Sequence, residues 1–252
     1  MNQNFVITLE YDGSRFSGWQ VQPGKITVQG ELEKTLALIL NQPVRLNGSG
    51  RTDAGVHALG QVANFHADTN RSCTDLKRGL NSMIKAPIVV HHCALAGPEF
   101  HARFSAVSKE YHYHILNRQE PCALGRDYVW HINRPLDLGA MEACCSMLIG
   151  EHDFKSFEGA GSPRYHTVRE VFRAGFNKME PDRLIFQIRA NGFLRFMVRN
   201  ILGTLILAGR CELSPEDFKA VLQARDRSLA GATAPPHGLF LMKVSYPESS
   251  FS

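Results

Sequence analysis

Hydrophobic residues in the first hundred positions recur at two spacings, one typical of helices and one typical of strands. In 28–40, for example, Leu32, Leu36 and Ile39 return every three or four residues and would lie on one side of a helix. The pattern predicts six elements, in the order strand, helix, strand, strand, helix, strand: 5–11, 28–40, 44–46, 61–66, 75–84 and 88–95. This is the β-α-β-β-α-β order of a ferredoxin-like unit.

The same order returns after a connector at 97–104. The second set of elements is strand 107–116, helix 138–149, strands 167–176 and 184–190, helix 193–208 and strand 239–246. An added helix at 215–224 has Ser214 as N-cap, Pro215 at its first position and Asp217 able to reach back. We therefore predict an α+β protein of two ferredoxin-like halves, 1–100 and 101–252, with antiparallel-rich sheets and a cleft between them, which the long polar segments of the second half would line.

Composition narrows the class of protein without deciding its function. The chain has 252 residues, of which 44% are hydrophobic, and a formal net charge of +4, which permits a polyanionic partner. Its six cysteines form no CxxC pair, so neither a disulfide framework nor a metal site is expected. The first residues lack the basic and apolar pattern of a secretory signal, and no apolar stretch is long enough to cross a bilayer, so we expect a cytoplasmic protein.

The stretch "NGSGRTDAGVHALGQVANF" at 47–65 places a single carboxylate, Asp53, between glycine turns. It contains neither GxxxxGK[ST] nor GxGxxG, and it runs into a strand instead of a helix, which disfavours a phosphate-binding loop. From composition alone, Asp53 either bonds backbone amides in an ordinary turn or performs chemistry.

Six separated segments resemble the tRNA pseudouridine synthase A family, in that family's order. The stretch "GSGRTDAGVHALGQVANF" resembles the active-site motif. The other five segments are YDGSRFSGWQVQ at 11–22, FHARFSAVSKEYHYHI at 100–115, GEHDFKSF at 150–157, NGFLRFMVRNILGTLILAGR at 191–210 and GATAPPHGLFLMKVSYP at 231–247. The resemblance implies two ferredoxin-like halves around a catalytic cleft, with 47–60 as the catalytic loop.

The resemblance also implies a reaction, the isomerisation of uridine to pseudouridine at positions 38, 39 and 40 in the anticodon stem-loop of tRNA, with no cofactor. Asp53 matches the nucleophile. Breaking the C1′–N1 bond develops positive charge on the ribose, which an ionised carboxylate stabilises or captures. Attack of Asp53 on C6 of the base is the other route, and both stay open. Because the detached uracil re-bonds through C5, no water is activated and no second carboxylate is required.

Three further side chains match positions with a role in the family. Arg199, in FMVRN, matches the arginine that pairs with the nucleophile and keeps it charged. Arg51 matches an arginine associated with handling of the flipped nucleotide. Tyr111, in KEYHYHI, matches a tyrosine that stacks on the target uracil or transfers a proton. The residues alone fit other roles equally well: Arg199 a solvent-facing arginine, Arg51 a turn arginine and Tyr111 a core tyrosine.

Basic residues near loops and helix ends are candidates for contacts with tRNA. The set is Arg15, Lys25, Lys77, Arg78, Arg103 and Lys109. Structured tRNA is recognised largely through shape and phosphates, which predicts a steep dependence on salt. Trp19 either stacks on RNA or packs in the core. The resemblance implies a homodimer in which one tRNA contacts both subunits.

Two other functions remain open at this stage. A non-catalytic RNA-binding module would show an RNP motif in its strands, and none is present. A metal-free hydrolase would use a second carboxylate as acid or base, and the motif holds none. One departure from the family, Ser49 where alanine is common, is expected to be silent.

Overall fold

The computed structural model describes residues 2–159, 161, 166–248, 250 and 251. It divides into two compact units, one made of Met1–Val107 and Phe240–Ser252 and the other of Ser108–Leu239. The predicted halves, 1–100 and 101–252, differ from this division at both ends of the second half. The last strand, β10 (Leu239–Ser245), pairs in parallel with β3 (His57–Asp68), so from Phe240 on it belongs to the first unit.

The first unit is built on a mainly antiparallel sheet. β1 (Asn2–Tyr11) lies between β4 (Ile88–Ala96) and β3 and is antiparallel to both, while the short β2 (Asn47–Gly48) also pairs with β3. The helices are α1 (Val28–Leu40) and α2 (Cys73–Met83), which pack on each other, with α2 also contacting β4. The predicted β-α-β-β-α-β order of this part of the chain is confirmed.

Both helices of the first unit begin at a hydroxyl cap and bury leucines four residues apart. In α1 the hydroxyl oxygen of Thr27 accepts a hydrogen bond from the Gly30 N–H, 3.2 Å away, and Leu32 and Leu36 are buried. In α2 the Ser72 hydroxyl accepts from the Asp75 N–H. The same apolar spacing that predicted these helices therefore supplies their core contacts.

The strand predicted at 44–46 is wrong, because side chains of α1 occupy the backbone groups it would have used. The Leu46 N–H donates to Oε1 of Glu33 at 2.9 Å, and the Leu46 carbonyl accepts from Nε2 of Gln29 at 3.1 Å. Pairing with β3 starts only at Asn47.

The elements of the second unit run in the order β5 (Ser108–Asn117), β6 (Trp130–Ile132), α3 (Leu138–Ser146), β7 (Gly150–Asp153), β8 (Val168–Glu180), β9 (Arg183–Ala190), α4 (Met197–Gly209) and α5 (Pro215–Ala224). Its longer strands pair antiparallel in the order β5-β9-β8-β7, and β6 is parallel to β5. Three helices, α3, α4 and α5, pack on one another, and α3 also contacts β8. The α+β class with antiparallel-rich sheets is thus confirmed, whereas β6 and β7 were not predicted.

Helix α4 begins four residues later than predicted. Phe196 has a φ of 60°, in the left-handed region, so the helix does not extend through it. The carbonyl of Arg195 accepts the Gly159 N–H at 2.8 Å instead of an intrahelical partner. By contrast, the capping box of α5 forms as predicted between Ser214 and Asp217.

Candidate active site

The candidate catalytic loop connects β2 to β3. Within it, the Val56 N–H donates to the carbonyl of Asp53 at 3.2 Å, and Gly55 takes a φ of 77°, so the chain turns directly after the carboxylate. The Asp53 side chain is partly exposed, and Arg51, two residues earlier, is exposed. The sequence motif therefore presents a carboxylate and a guanidinium on one ordered turn.

The segment after β1 lies against this loop at backbone distance. The Trp19 N–H donates to the Thr52 carbonyl at 3.1 Å. Gly13 packs so closely on Val56 that a β-carbon would collide with the Val56 carbonyl, and a β-carbon on Gly18 would lie 2.6 Å from the Thr52 carbonyl oxygen. Two of the matched sequence segments, 11–22 and 47–65, thus form one packed unit around Asp53.

Gly18→Ala is expected to destabilise the first unit by more than the cost of its backbone conformation. Gly18 combines a φ of +91° with the close approach to Thr52, whereas Gly24 has a φ of +68° and open space around its missing β-carbon. Gly24→Ala should therefore cost about 1 kcal/mol of unfolding free energy and Gly18→Ala at least about 2–3 kcal/mol, measured by denaturant unfolding. Equal losses in the two variants would mean that the contact with Thr52 does not matter.

The sequence did not point to His57, the first residue of β3, which contacts the segment that packs against the catalytic loop. Its ring is buried and stacks on Phe240 with 4.7 Å between centroids, and its Nδ1 accepts the Gly13 N–H at 3.0 Å. The sequence gives no sign of this role, because the partners of the histidine lie far from it along the chain.

Tyr111 lies on β5 with its ring 8% exposed, packed edge-on against Phe193 at 5.1 Å. Tyr113 and Ile115 share its buried face while His112 is partly exposed, as the strand alternation predicts. The Tyr113 hydroxyl donates to the Pro235 carbonyl at 2.7 Å, and burial raises its pKa well above the usual range, so Tyr113 is a structural tyrosine.

Arg199 lies in the first turn of α4 and is held on two sides. Its Nε donates to the Ala234 carbonyl at 2.7 Å, and its Cζ lies 5.0 Å from the centre of the Phe196 ring. Arg195, four residues earlier and before the start of α4, is exposed over the same ring. The structure thus distinguishes the two arginines, since Arg199 is partly buried and has a fixed direction.

A buried asparagine that the sequence did not single out fixes the segment that holds Arg199. Oδ1 of Asn200 accepts from the Thr233 hydroxyl at 2.6 Å and from Nη2 of Arg227 at 3.1 Å, and its Nδ2 donates to the Phe157 carbonyl at 2.9 Å. Burial lowers the pKa of Arg227. These bonds anchor the loop that supplies the Ala234 carbonyl.

Most of the proposed RNA-binding cations are accessible to a ligand. Five of the six are exposed, namely Arg15, Lys25, Lys77, Arg78 and Arg103. Lys109 is partly buried on β5. Trp19 packs in the core against Gly48, so of its two predicted roles the structure supports packing.

In the described ranges, no three His, Cys, Asp or Glu side chains are placed to hold a metal ion together. None of the helices that the structure describes is both long enough and apolar enough to cross a membrane.

Comparison with known protein families decides the assignment. The model of a family described as tRNA pseudouridine synthase matches residues 7–105 and 144–247. This chain belongs to that family. The synthase is therefore an isomerase that converts uridine in tRNA to pseudouridine. The matched ranges include Arg51, Asp53 and Arg199, whereas Tyr111 lies between them.

Curated relatives are similar to the synthase along nearly its whole length. A tRNA pseudouridine synthase A of Thermoanaerobacter sp. (strain X514) is 43% identical over 244 residues, which are 97% of this chain and 100% of that one. The enzyme of the same name from Coxiella burnetii (strain Dugway 5J108-111) is 43% identical over 240 residues, 95% of this chain and 91% of that one. A solved archaeal box H/ACA Nop10–Cbf5 complex matches with a TM-score of 0.38 at 11% identity, over 90% of this chain and 59% of that one, a likeness too distant to support an argument.

The predicted site residues of the synthase fall into two groups. Asp53 and Arg51 share one loop of the first unit, and Tyr111 and Arg199 lie in the second unit. The first group offers a carboxylate on a rigid turn, and the second offers a guanidinium of fixed direction and an aromatic ring. A carboxylate suits a nucleophile, and a guanidinium suits the pairing of that carboxylate or a phosphate.

Proposed function

We propose that the synthase modifies uridines 38, 39 and 40 in the anticodon stem-loop of tRNA, with Asp53 as its nucleophile. The observation that carries the proposal is the loop around Asp53, where a partly exposed aspartate lies on a backbone that is held by contacts before and after it. The names of the relatives support the choice of tRNA as substrate, and the resemblance of 47–65 to the active-site motif supports the choice of Asp53.

The reaction exchanges one glycosidic bond for another. The C1′–N1 bond breaks, uracil turns while bound, the C1′–C5 bond forms, and the proton on C5 leaves while N1 gains one. In the ribose route the Asp53 carboxylate captures the cationic C1′, and in the base route it adds to C6 and is later expelled. Either route needs an ionised Asp53 and consumes no redox equivalent.

The remaining side chains have supporting roles in the proposed site. Arg199 orients Asp53 and keeps it charged, which agrees with its partial burial and fixed direction. Arg51 holds the nucleotide after it leaves the stem, a step that costs a few kcal/mol of lost stacking. Tyr111 stacks on the target uracil or transfers the C5 proton. The enzyme acts as a cytoplasmic homodimer, with one tRNA contacting both subunits.

Binding of tRNA through phosphates predicts a steep salt dependence. If the six proposed cations each contact one phosphate, the logarithm of kcat/KM should fall with the logarithm of salt concentration with a slope of about −4 to −5. Lys77→Gln and Arg78→Gln together should reduce the magnitude of that slope by about 2. Lys34→Gln, which changes an exposed lysine of α1 outside the set, is the matched control and should leave it unchanged. A slope near zero in the wild type would contradict the proposed mode of binding.

Tritium release tests the proposed positions directly. Transcripts of one tRNA, labelled with tritium at C5 of every uridine, carry uridine at only one of positions 38, 39 and 40, with cytidine at the other two. The wild-type enzyme should release tritium from each transcript, with no added metal or nucleotide. Equal release from a further transcript with cytidine at all three positions would assign the activity to a different site in tRNA.

A further inference from the structure

Four buried polar side chains lie directly behind the catalytic loop in the first unit. Ser49 and Thr52 belong to the loop itself, Tyr11 ends β1 and Gln61 lies on β3. Each of the four residues is at most 7% exposed. Polar groups in such a place cost free energy unless they bond to one another.

These side chains form hydrogen bonds that reach three of the four residues preceding Asp53. The Tyr11 hydroxyl and the Thr52 hydroxyl lie 2.7 Å apart, the Ser49 hydroxyl donates to Oε1 of Gln61 at 2.6 Å, and Nε2 of Gln61 donates to the Gly50 carbonyl at 3.0 Å. Two strands of the sheet thereby fix residues 49, 50 and 52. Ser49, which stands where alanine is common in the family, takes part in this network.

The network keeps its protons across the neutral pH range. Burial raises the pKa of Tyr11 to about 12, against the smaller effect of its hydrogen bonds with Thr52 and Gln61. The Tyr11 hydroxyl therefore stays neutral. An apolar pair in place of two bonded polar groups is often equally stable, so stability alone does not explain a polar network here.

We propose that Tyr11 and Gln61 are positioning residues, which fix residues 49–52 so that the Asp53 carboxylate points at the carbon it attacks. The inference rests on the proposed role of Asp53 as nucleophile. Neither residue touches the substrate; they act on the loop that carries the carboxylate. Displacing a reacting group by about 1 Å lowers a rate by about 10²-fold, so a fixed loop has a direct effect on the chemical step.

Tyr11→Phe tests the proposal from the strand side. The single-turnover rate of tritium release should fall about 10- to 100-fold, while KM and the Kd for tRNA stay within about twofold of wild type. Thr52→Val removes the same bond from the loop side and should lower the rate to a similar degree, and it supplies the measurement if Tyr11→Phe does not fold. Thr52→Ser keeps the hydroxyl and should retain most of the rate.

Two controls distinguish a loss of loop positioning from a loss of folding stability. Thr35, on α1, is 7% exposed like Thr52 and also makes one side-chain hydrogen bond, to the Glu31 carbonyl, so Thr35→Val should keep the wild-type rate. The double variant Tyr11→Phe with Thr52→Val removes both partners and should recover the Tm lost in the single variants without recovering the rate. A rate that recovers together with Tm would show a merely structural role and overturn the proposal.

Failure of the inference and failure of the proposed function are distinguishable. If Tyr11→Phe and Thr52→Val release tritium at the wild-type rate while Asp53→Asn does not, the positioning role is wrong and the nucleophile stands. If Asp53→Asn keeps the wild-type rate, the assignment of Asp53 is wrong and the inference falls with it.

Discussion

Asp53→Asn is expected to lower the rate of tritium release from tRNA by at least about 10⁴-fold, because it removes the only group proposed to attack the substrate. Asparagine has nearly the same shape as aspartate, so the loop and its backbone bonds should remain. The Kd for tRNA should stay the same or decrease, since one negative charge near the phosphates is lost. The rate is measured under single-turnover conditions and the affinity by filter binding.

Asp137→Asn is the matched control for this change. Asp137 caps α3, with its Oδ1 accepting the Ala140 N–H at 3.0 Å, and asparagine caps helices equally well. This variant should therefore keep the wild-type rate. A loss of less than about 10-fold in Asp53→Asn would show that the carboxylate is not the nucleophile.

Arg199→Lys should lower the rate of the chemical step by about 10²- to 10³-fold although it conserves the charge. The arginine donates its Nε to the Ala234 carbonyl, and we propose that its guanidinium also orients Asp53. A lysine has one nitrogen on a flexible stem and does not reproduce this two-sided geometry. We expect the change in kcat, with KM changed little.

Arg195→Lys makes the same substitution four residues earlier on the chain, over the same Phe196 ring. Because Arg195 is exposed, its rate should change by less than about twofold. Equal losses in the two variants would mean that the rate depends on general charge near α4 and not on the direction of Arg199.

The sequence predicts the long elements well because local signals and core contacts agree there. Helix α1 has the predicted bounds, with Thr27 as cap and two leucines of one face buried. Where hydrogen bonds to residues far away in the sequence determine the backbone conformation, the sequence predicts the bounds of an element less well. The missing strand at 44–46 depends on Gln29 and Glu33, and the late start of α4 depends on Gly159.

The candidate site divides in the same way. Asp53, Arg51 and Arg199 can be predicted because each lies in a short sequence segment that resembles a segment of the family. The residues that hold the backbone near them, such as Gln61 behind Asp53 and Asn200 beside Arg199, were not indicated by any motif. The role of each becomes visible only when strands and loops far apart in the sequence are brought together.

The most direct test of the isomerase mechanism measures the pseudouridine that is formed and not the loss of tritium alone. Wild-type enzyme is incubated with an unmodified tRNA carrying radioactive uridine, and the nucleosides and free bases are separated after digestion. An isomerase should form pseudouridine in the same amount as uridine disappears, with no free uracil. Free uracil in place of pseudouridine would show that the enzyme hydrolyses the glycosidic bond and would contradict the isomerase mechanism.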